Sequence, residues 1–202
     1  MKACIMFTDV KSSSKLWAAH PKEMLKMLTK HENIIRAAAA KQKGFVIKTI
    51  GDAVMISFPT LENGVLCAME VQQKLKNNPL KFNTSDDLLQ IRIGIAYGPV
   101  QVKSIIVQNV KLKDIFGTTV NLASRMESKV SLVGGFGILA DNMPKKVMDL
   151  IEKHCTVNNV VFKYNCEQAG VRSTRLLNSC VDVGVLHVED GNEHKTISCM
   201  LK

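Results

Sequence analysis

The chain has 202 residues, of which 46% are hydrophobic and 22% charged, as is typical of a globular protein with one well-filled core. No stretch approaches 18 consecutive apolar residues, so no membrane-spanning helix is expected, and six scattered cysteines without a CxxC pair argue against a zinc site or a disulfide framework. The formal net charge of +9 suggests an anionic partner, which is either a nucleic acid or acidic membrane face, or a polyphosphate substrate. No aromatic interleaving or RNA-binding signature supports the nucleic acid.

The first third of the chain alternates between apolar strands and helices. Residues 3–9 predict a buried strand, and Pro21 marks the start of a helix whose apolar residues recur at helical spacing until Gly44 ends it. The segment 45–59 predicts a hairpin, and a second helix follows at about 62–76.

The middle of the chain continues with two further strands, LLQIRIGIAYG and VQVKSIIVQ. The segment DIFGTTVNLASRMES then becomes helical at about Thr118, and a short strand and a helix near 144–153 follow. The order strand, helix, strand, strand, helix, strand predicts an α+β fold of the ferredoxin-like (split βαβ) type, an antiparallel sheet with helices on one face.

Two isolated acids stand at strand ends, Asp9 within IMFTDV and Asp52 at the tip of the hairpin. In a ferredoxin-like sheet the end of the first strand and the tip of the central hairpin lie side by side. Paired carboxylates can hold two cations about 3.5–4 Å apart for in-line attack at phosphorus, and magnesium suits such a site. The alternative is that Asp9 caps the next helix and Asp52 only closes a turn.

Three serines follow the first acid, in the sequence VKSSS. Small residues at the start of a helix present free N–H groups and a favourable dipole to a phosphate. Ser13 and Ser14 are therefore candidates for phosphate binding, and a plain serine N-cap is the alternative.

Four segments, taken in chain order, resemble the signature segments of the class III nucleotidyl cyclase catalytic domain. They are FTDVKSSSKLW, IKTIGDAVM, IRIGIAYGPV and DIFGTTVNLASRMES. The resemblance covers about residues 3–140, and its opening segment is most similar to the receptor-type adenylyl cyclases of kinetoplastid protists. It implies an adenylate cyclase that converts ATP to 3′,5′-cyclic AMP and pyrophosphate.

The resemblance implies roles for several of these residues. Asp9 and Asp52 match the two metal-binding aspartates, which would hold two Mg²⁺ ions per site, with Mn²⁺ as a possible substitute. The backbone amides around Ser13 and Ser14 match the phosphate-binding loop, and Arg92 matches an arginine that meets the triphosphate.

Lys48 and Asp114 match the pair that recognises adenine in this family. Adenine offers a ring-nitrogen acceptor and an amine donor, so one donor and one acceptor from the protein suit it. Guanine has a carbonyl where adenine has its amine, and this oxygen would face the Asp114 carboxylate. Since the guanylyl enzymes of the family typically have Glu and Cys at these two places, ATP is the expected substrate.

Asn121 and Arg125 are four residues apart and share one helix face. By resemblance, Asn121 orients the ribose and Arg125 stabilises the charge that develops on the α-phosphate. In the family, the metal aspartates and the Lys, Asp, Asn and Arg set come from different subunits, so the resemblance implies a homodimer with two composite sites.

The end of the chain matches the family less well. Lys163 is the nearest candidate by spacing for a basic residue that holds the triphosphate from a late strand, with Arg172 and Arg175 as alternatives. We expect a cyclase catalytic domain over residues 1–178 and an extension or extra hairpin over 179–202. The expected location is the cytoplasm, or the cytoplasmic face of a membrane if the chain belongs to a receptor.

Three other functions are compatible with parts of this pattern. A catalytically silent cyclase-homology module for nucleotide sensing or dimerisation would typically lack a metal aspartate or the Asn/Arg pair, and this chain has both. A basic nucleic-acid-binding protein would rest on charge alone. A palm-type polymerase also uses paired acids, but the adenine-selecting pair and the short chain disfavour it.

Overall fold

The computed structural model describes residues 1–107, 110–130, 136–141, 145–157, 160–168, 171–176 and 194–201. The elements in chain order are β1 (Lys2–Val10), α1 (Ser13–Ala19), α2 (Pro21–Lys41), β2 (Phe45–Ile50), β3 (Ala53–Phe58), α3 (Leu61–Asn77), β4 (Leu80–Lys81), β5 (Leu88–Leu89), β6 (Ile91–Pro99), β7 (Gln101–Val107), β8 (Val110–Phe116), α4 (Thr118–Lys129), β9 (Phe136–Asp141), α5 (Lys145–Val157), β10 (Val160–Gln168), β11 (Val171–Leu176) and β12 (His194–Leu201).

The sheet is built around four antiparallel strands in the order β6-β1-β3-β2. This is the ferredoxin-like order, because the first and third strands lie between the fourth and the second. β9 extends the sheet in parallel beside β6, and β12, β10 and β11 continue it with antiparallel pairing. The predicted fold class is confirmed.

Alternate residues of β1 point to opposite faces of the sheet and enter two separate cores. Met6 belongs to the larger core, which α2, α3 and α5 cover, and Ile5 belongs to a second core under α4 and β8. Burial of each such side chain contributes about 1.5–3 kcal/mol. The helices α2, α3 and α5 therefore lie on one face, and α4 packs on the opposite face.

Helix α4 approaches β6 very closely at Gly94. A Cβ atom at this position would collide with the backbone of Ala123 and Glu127 in α4. Because these are backbone atoms, no side-chain rotation relieves the collision. The glycine in the segment IRIGIAYG thus sets the distance between α4 and the sheet.

Gly94→Ala is expected to lower the free energy of unfolding by about 3 kcal/mol, since α4 must move away from β6. Urea denaturation followed by circular dichroism measures this change. Gly51→Ala is the control, because no atom lies within 4 Å of its added Cβ and only its positive φ of 63° opposes it, at about 1–2 kcal/mol. A Gly94→Ala protein no less stable than Gly51→Ala would contradict the expected collision.

Strand β12 lies inside the sheet, between β9 and β10. It pairs with both neighbours along most of its length, for example through Ile197, which faces Ile138 on one side and Tyr164 on the other. Most of the predicted extension over 179–202 lies outside the described residues, but its 194–201 segment is a strand of the main sheet.

None of the helices within the described residues is long and apolar enough to cross a membrane.

Candidate active site

One end of the central sheet carries a carboxylate paired with a guanidinium. Asp9 on β1 lies opposite Arg92 on β6 in the antiparallel register. Arg92 Nη2 donates a hydrogen bond of 2.6 Å to Asp9 Oδ2, and each side chain is 26% exposed. The residue at the cap of α1 is Ser12, so Asp9 does not take the helix-capping role that was its alternative.

Asp52 lies in the turn between β2 and β3, directly after Gly51, whose φ of 63° is readily adopted by glycine. The register pairs Thr8 with Val54, which puts Asp9 and Asp52 at the same end of neighbouring strands. Oδ2 of Asp52 is buried and has no hydrogen-bond partner in the described part of the chain. A buried carboxylate oxygen without a donor is unfavourable, and a divalent cation would supply the missing partner. The donor set therefore fits magnesium.

A third acid, Glu127 on α4, lies beside this pair and was missed by the sequence analysis. Its side chain is buried, and Oε1 is 3.0 Å from Nε of Arg92. Burial raises the pKa of the Glu127 carboxyl; the positive charge of Arg92 opposes this shift, and the negative charges of Asp9 and Asp52 add to it. Glu127 is the penultimate residue of the segment DIFGTTVNLASRMES, and no feature of that segment marks it as buried.

A buried histidine lies on the opposite side of the same acids. His31 on α2 is 2% exposed, and its Nε2 has no hydrogen-bond partner among the residues the structure describes. Burial lowers the pKa of His31, and the negative charge of Asp52 is the largest opposing influence. The sequence analysis assigned no role to this residue.

The serine segment forms a tight entry into α1. Ser12 adopts the left-handed conformation, with φ 56°, and its side chain makes no capping hydrogen bond. The first amides bonded to the Ser12 carbonyl are those of Lys15 and Leu16, at 2.9 and 3.2 Å. The amides of Ser13 and Ser14 precede them at the open end of the helix, where N–H groups have no intrahelical acceptor.

Lys48 and Asp114 are in direct contact, although 66 residues separate them in the sequence. Lys48 Nζ on β2 donates hydrogen bonds of 2.9 and 2.7 Å to the two carboxylate oxygens of Asp114 on β8. The hydrogen bond from Lys48 lowers the pKa of Asp114 below its usual range, with a further contribution from the backbone amide of Ile115. The lysine also lies 5.8 Å from the ring centroid of Phe116.

Asn121 and Arg125 lie on the exposed face of α4. The opposite face of this helix carries Ala123, Met126 and Glu127, all buried. The side chains of Asn121 and Arg125 have no hydrogen bond or ion pair with another residue in the described ranges, so both are available to a ligand or to another chain.

The predicted site residues thus form separate groups within one chain. Asp9 and Arg92 are joined by an ion pair, as are Lys48 and Asp114, but no hydrogen bond links the two pairs within the described residues. Lys163 lies in β10, opposite Leu176 and Ser198; its side chain is outside the described residues, and its predicted phosphate contact stays a prediction.

The chain belongs to the adenylate and guanylate cyclase catalytic domain family, whose sequence model matches residues 1–135. The predicted resemblance to class III cyclases is thereby confirmed.

Among its relatives, the chain is 31% identical over 145 residues to an adenylate cyclase of Podospora anserina, a match that covers 61% of the chain and 6% of the relative. It is 29% identical over 157 residues to receptor-type adenylate cyclase A of Leishmania donovani, a match that covers 61% of the chain and 11% of the relative. The chain thus corresponds to a small part of each of these proteins.

Among solved structures, the catalytic core of a rhodopsin-guanylyl cyclase with converted specificity, in complex with ATPαS, matches the whole chain and 96% of its own length. The TM-score is 0.67 and the sequence identity is 21%. At this identity the likeness concerns the fold.

Proposed function

We propose that this chain is an adenylyl cyclase domain that converts ATP to 3′,5′-cyclic AMP and pyrophosphate. The observation that carries the choice of ATP is the contact between Lys48 and Asp114, which already presents one donor and one acceptor side by side. Relatives named adenylate cyclases support the same choice.

The base-reading pair favours adenine for electrostatic reasons. Because Lys48 lowers the pKa of Asp114, this carboxyl is ionised at neutral pH and accepts hydrogen bonds only. The adenine amine would donate to Asp114, and Lys48 would donate to a ring nitrogen. A guanine carbonyl in the place of the amine would put its oxygen against the Asp114 carboxylate, so two hydrogen-bond acceptors would face each other without a donor.

Asp9 and Asp52 would hold the Mg²⁺ ions. Within the described ranges no group of three or more His, Cys, Asp or Glu side chains could hold a metal ion, and magnesium bound through one or two carboxylates plus phosphates does not require one. When bound, the cations would lower the pKa of the ribose 3′-hydroxyl and neutralise charge on the phosphates.

The remaining residues bind and orient the nucleotide. The amides of Ser13 and Ser14, together with Arg92, would hold the triphosphate, and Asn121 would orient the ribose. The ribose 3′-hydroxyl would lose its proton to water, and its oxygen would form a bond to the α-phosphorus as the bond to pyrophosphate breaks. Arg125 would stabilise the negative charge that develops at the α-phosphate. No protein nucleophile is needed.

A homodimer would bring the separate groups together. Exposed apolar side chains lie on the two strands of the base-reading pair and on β7, which pairs with β8, and exposed apolar surface commonly marks an interface. They are Phe45 and Ile50 on β2, Val102 and Ile106 on β7, and Phe116 on β8. A two-fold interface would create two equivalent composite sites.

The direct test of the function incubates the purified chain with ATP or GTP, and with Mg²⁺ or Mn²⁺, and measures cyclic nucleotide and pyrophosphate. Cyclic AMP as the dominant product is the expected result. A chain that binds ATP without turnover would instead favour the catalytically silent cyclase-homology module. Cyclic GMP as the dominant product would contradict the proposed base recognition.

The composite site is tested by mixing two inactive variants. Asp52→Asn chains would lack the metal half, and Asn121→Ala chains would lack the ribose half. In a mixed dimer one of the two sites is intact, so an equal mixture is expected to recover about a quarter of wild-type activity, since half of the dimers are mixed. A mixture as inactive as its components would rule out sharing of the site.

A further inference from the structure

One guanidinium lies between two carboxylates from opposite sides of the candidate site. Arg92 on β6 contacts Asp9 of β1 through Nη2 and approaches Glu127 of α4 through Nε. A planar guanidinium can serve two partners in this way, because its donors point in fixed and different directions.

The two contacts of Arg92 are not equivalent. The contact with Asp9 is a hydrogen bond of 2.6 Å. The contact with Glu127 has a distance of 3.0 Å, yet its geometry does not make a hydrogen bond. Arg92 Nε and Glu127 Oε1 are both buried without a hydrogen-bond partner among the described residues. In the free protein Arg92 is therefore hydrogen-bonded to Asp9. Oε1 of Glu127 lies next to Arg92 and accepts no hydrogen bond from the described residues.

Glu127 is held firmly in this place. It lies on the buried face of α4, where the close approach of the helix backbone to Gly94 fixes the distance to β6. The exposed face of the same helix carries Asn121 and Arg125. Helix α4 would thus contribute Glu127 to the cation-binding side of its own chain. It would contribute Asn121 and Arg125 to the nucleotide bound at the cation site of the partner chain.

We infer that Glu127 is a positioning residue that receives Arg92 when a cation takes over Asp9. This inference rests on the proposed function, in which Asp9 holds a cation and Arg92 meets the triphosphate. With a cation at Asp9, Arg92 would lose that carboxylate. It is costly to leave a partly buried guanidinium unpaired when its buried Nε already has no hydrogen-bond partner among the described residues. Completing the contact with Glu127 avoids this cost and keeps Arg92 beside the phosphates.

The inference predicts a specific coupling between Glu127 and Arg92 in metal binding. In Glu127→Gln the displaced Arg92 has no acidic partner, so Mn²⁺ affinity is expected to fall about 5-fold, a size typical of residues in one network. In an Arg92→Gln background nothing has to be displaced from Asp9, and the same change is expected to alter the affinity less than about 2-fold.

The experiment titrates Mn²⁺ into the protein without nucleotide and follows free Mn²⁺ by electron paramagnetic resonance. It compares the wild type, the two single variants and the double variant, each checked for folding by circular dichroism. Glu32→Gln is the matched control, because it removes the charge of a half-buried glutamate on α2 that also pairs with an arginine, Arg36, and it should leave Mn²⁺ affinity unchanged. If the double variant does not fold, Arg92→Met replaces Arg92→Gln, since an uncharged side chain likewise leaves nothing to be displaced from Asp9.

The outcomes separate the inference from the function on which it rests. An equal loss of Mn²⁺ affinity in both backgrounds would mean that Glu127 acts only through its charge or its packing, and would overturn the inference while the cation site stands. A wild-type protein that does not bind Mn²⁺ would remove the cation site itself, and the inference with it. A loss of Mn²⁺ affinity on Glu127→Gln that occurs only when Arg92 is present would establish that Arg92 moves from Asp9 to Glu127 when the cation binds.

Discussion

Replacing Asp52 with asparagine is expected to lower kcat/KM for ATP by about 100- to 1,000-fold without unfolding the protein. Asparagine keeps the shape of the side chain but removes the charge that would hold a cation. In the free protein Oδ2 of Asp52 has no donor among the described residues, so no native hydrogen bond to that atom is lost. The free energy of unfolding should therefore fall by no more than about 0.5 kcal/mol.

Asp86→Asn is the matched control for this prediction. The Asp86 side chain is 99% exposed and pairs with Lys81 at the surface, so its charge can be removed without effect on the site. Activity is measured as cyclic AMP formed, and stability as the midpoint of urea unfolding. Full activity in Asp52→Asn would exclude the proposed cation site, whereas lost activity with a lowered midpoint would assign Asp52 to folding.

Exchanging the base-reading pair is expected to reverse the nucleotide preference. Lys48→Glu combined with Asp114→Cys introduces the residues expected at these two places in the guanylyl enzymes of the family, and replaces the acceptor that would face the guanine carbonyl. The ratio of kcat/KM for GTP to that for ATP should rise by about 100-fold, because a mismatched donor or acceptor leaves buried polar groups unpaired.

The loss of the ion pair itself should cost little stability. Lys48 is 40% exposed, and pairs open to water contribute about 1 kcal/mol or less. Lys41→Glu is the control, since it reverses a lysine of another surface ion pair, with Glu70, and should leave the base preference unchanged. An unchanged preference in the double variant would show that other residues choose the base.

The order of the predicted strands and helices indicated the ferredoxin-like core correctly, because these elements follow local sequence patterns. Apolar runs mark β1 and β6, and Pro21 marks the start of α2 as expected. The placement of α4 on the opposite face could not be read from its periodicity. An amphipathic helix shows which of its sides is buried, but not which face of the sheet covers it.

Glu127 escaped the sequence analysis for a related reason. A charged residue near the end of an amphipathic helix is ordinarily exposed, and only the close approach of α4 at Gly94 makes it buried. The ion pair between Asp9 and Arg92 depends on the register of β1 and β6, which residues 83 positions apart do not reveal by themselves. The roles assigned to the site residues stay predictions until the variants are measured.

The place of β12 has a consequence for how the chain assembles. Its two neighbours, β9 and β10, precede it by many residues, so neither can complete its ladder of hydrogen bonds until residues 194–201 arrive. Such distant pairings are slow to form, and a nascent chain would meanwhile present open strand edges that attract other chains. The β6-β1-β3-β2 unit, by contrast, is complete by residue 99, so it can form first and the later strands and helices can then pack against it.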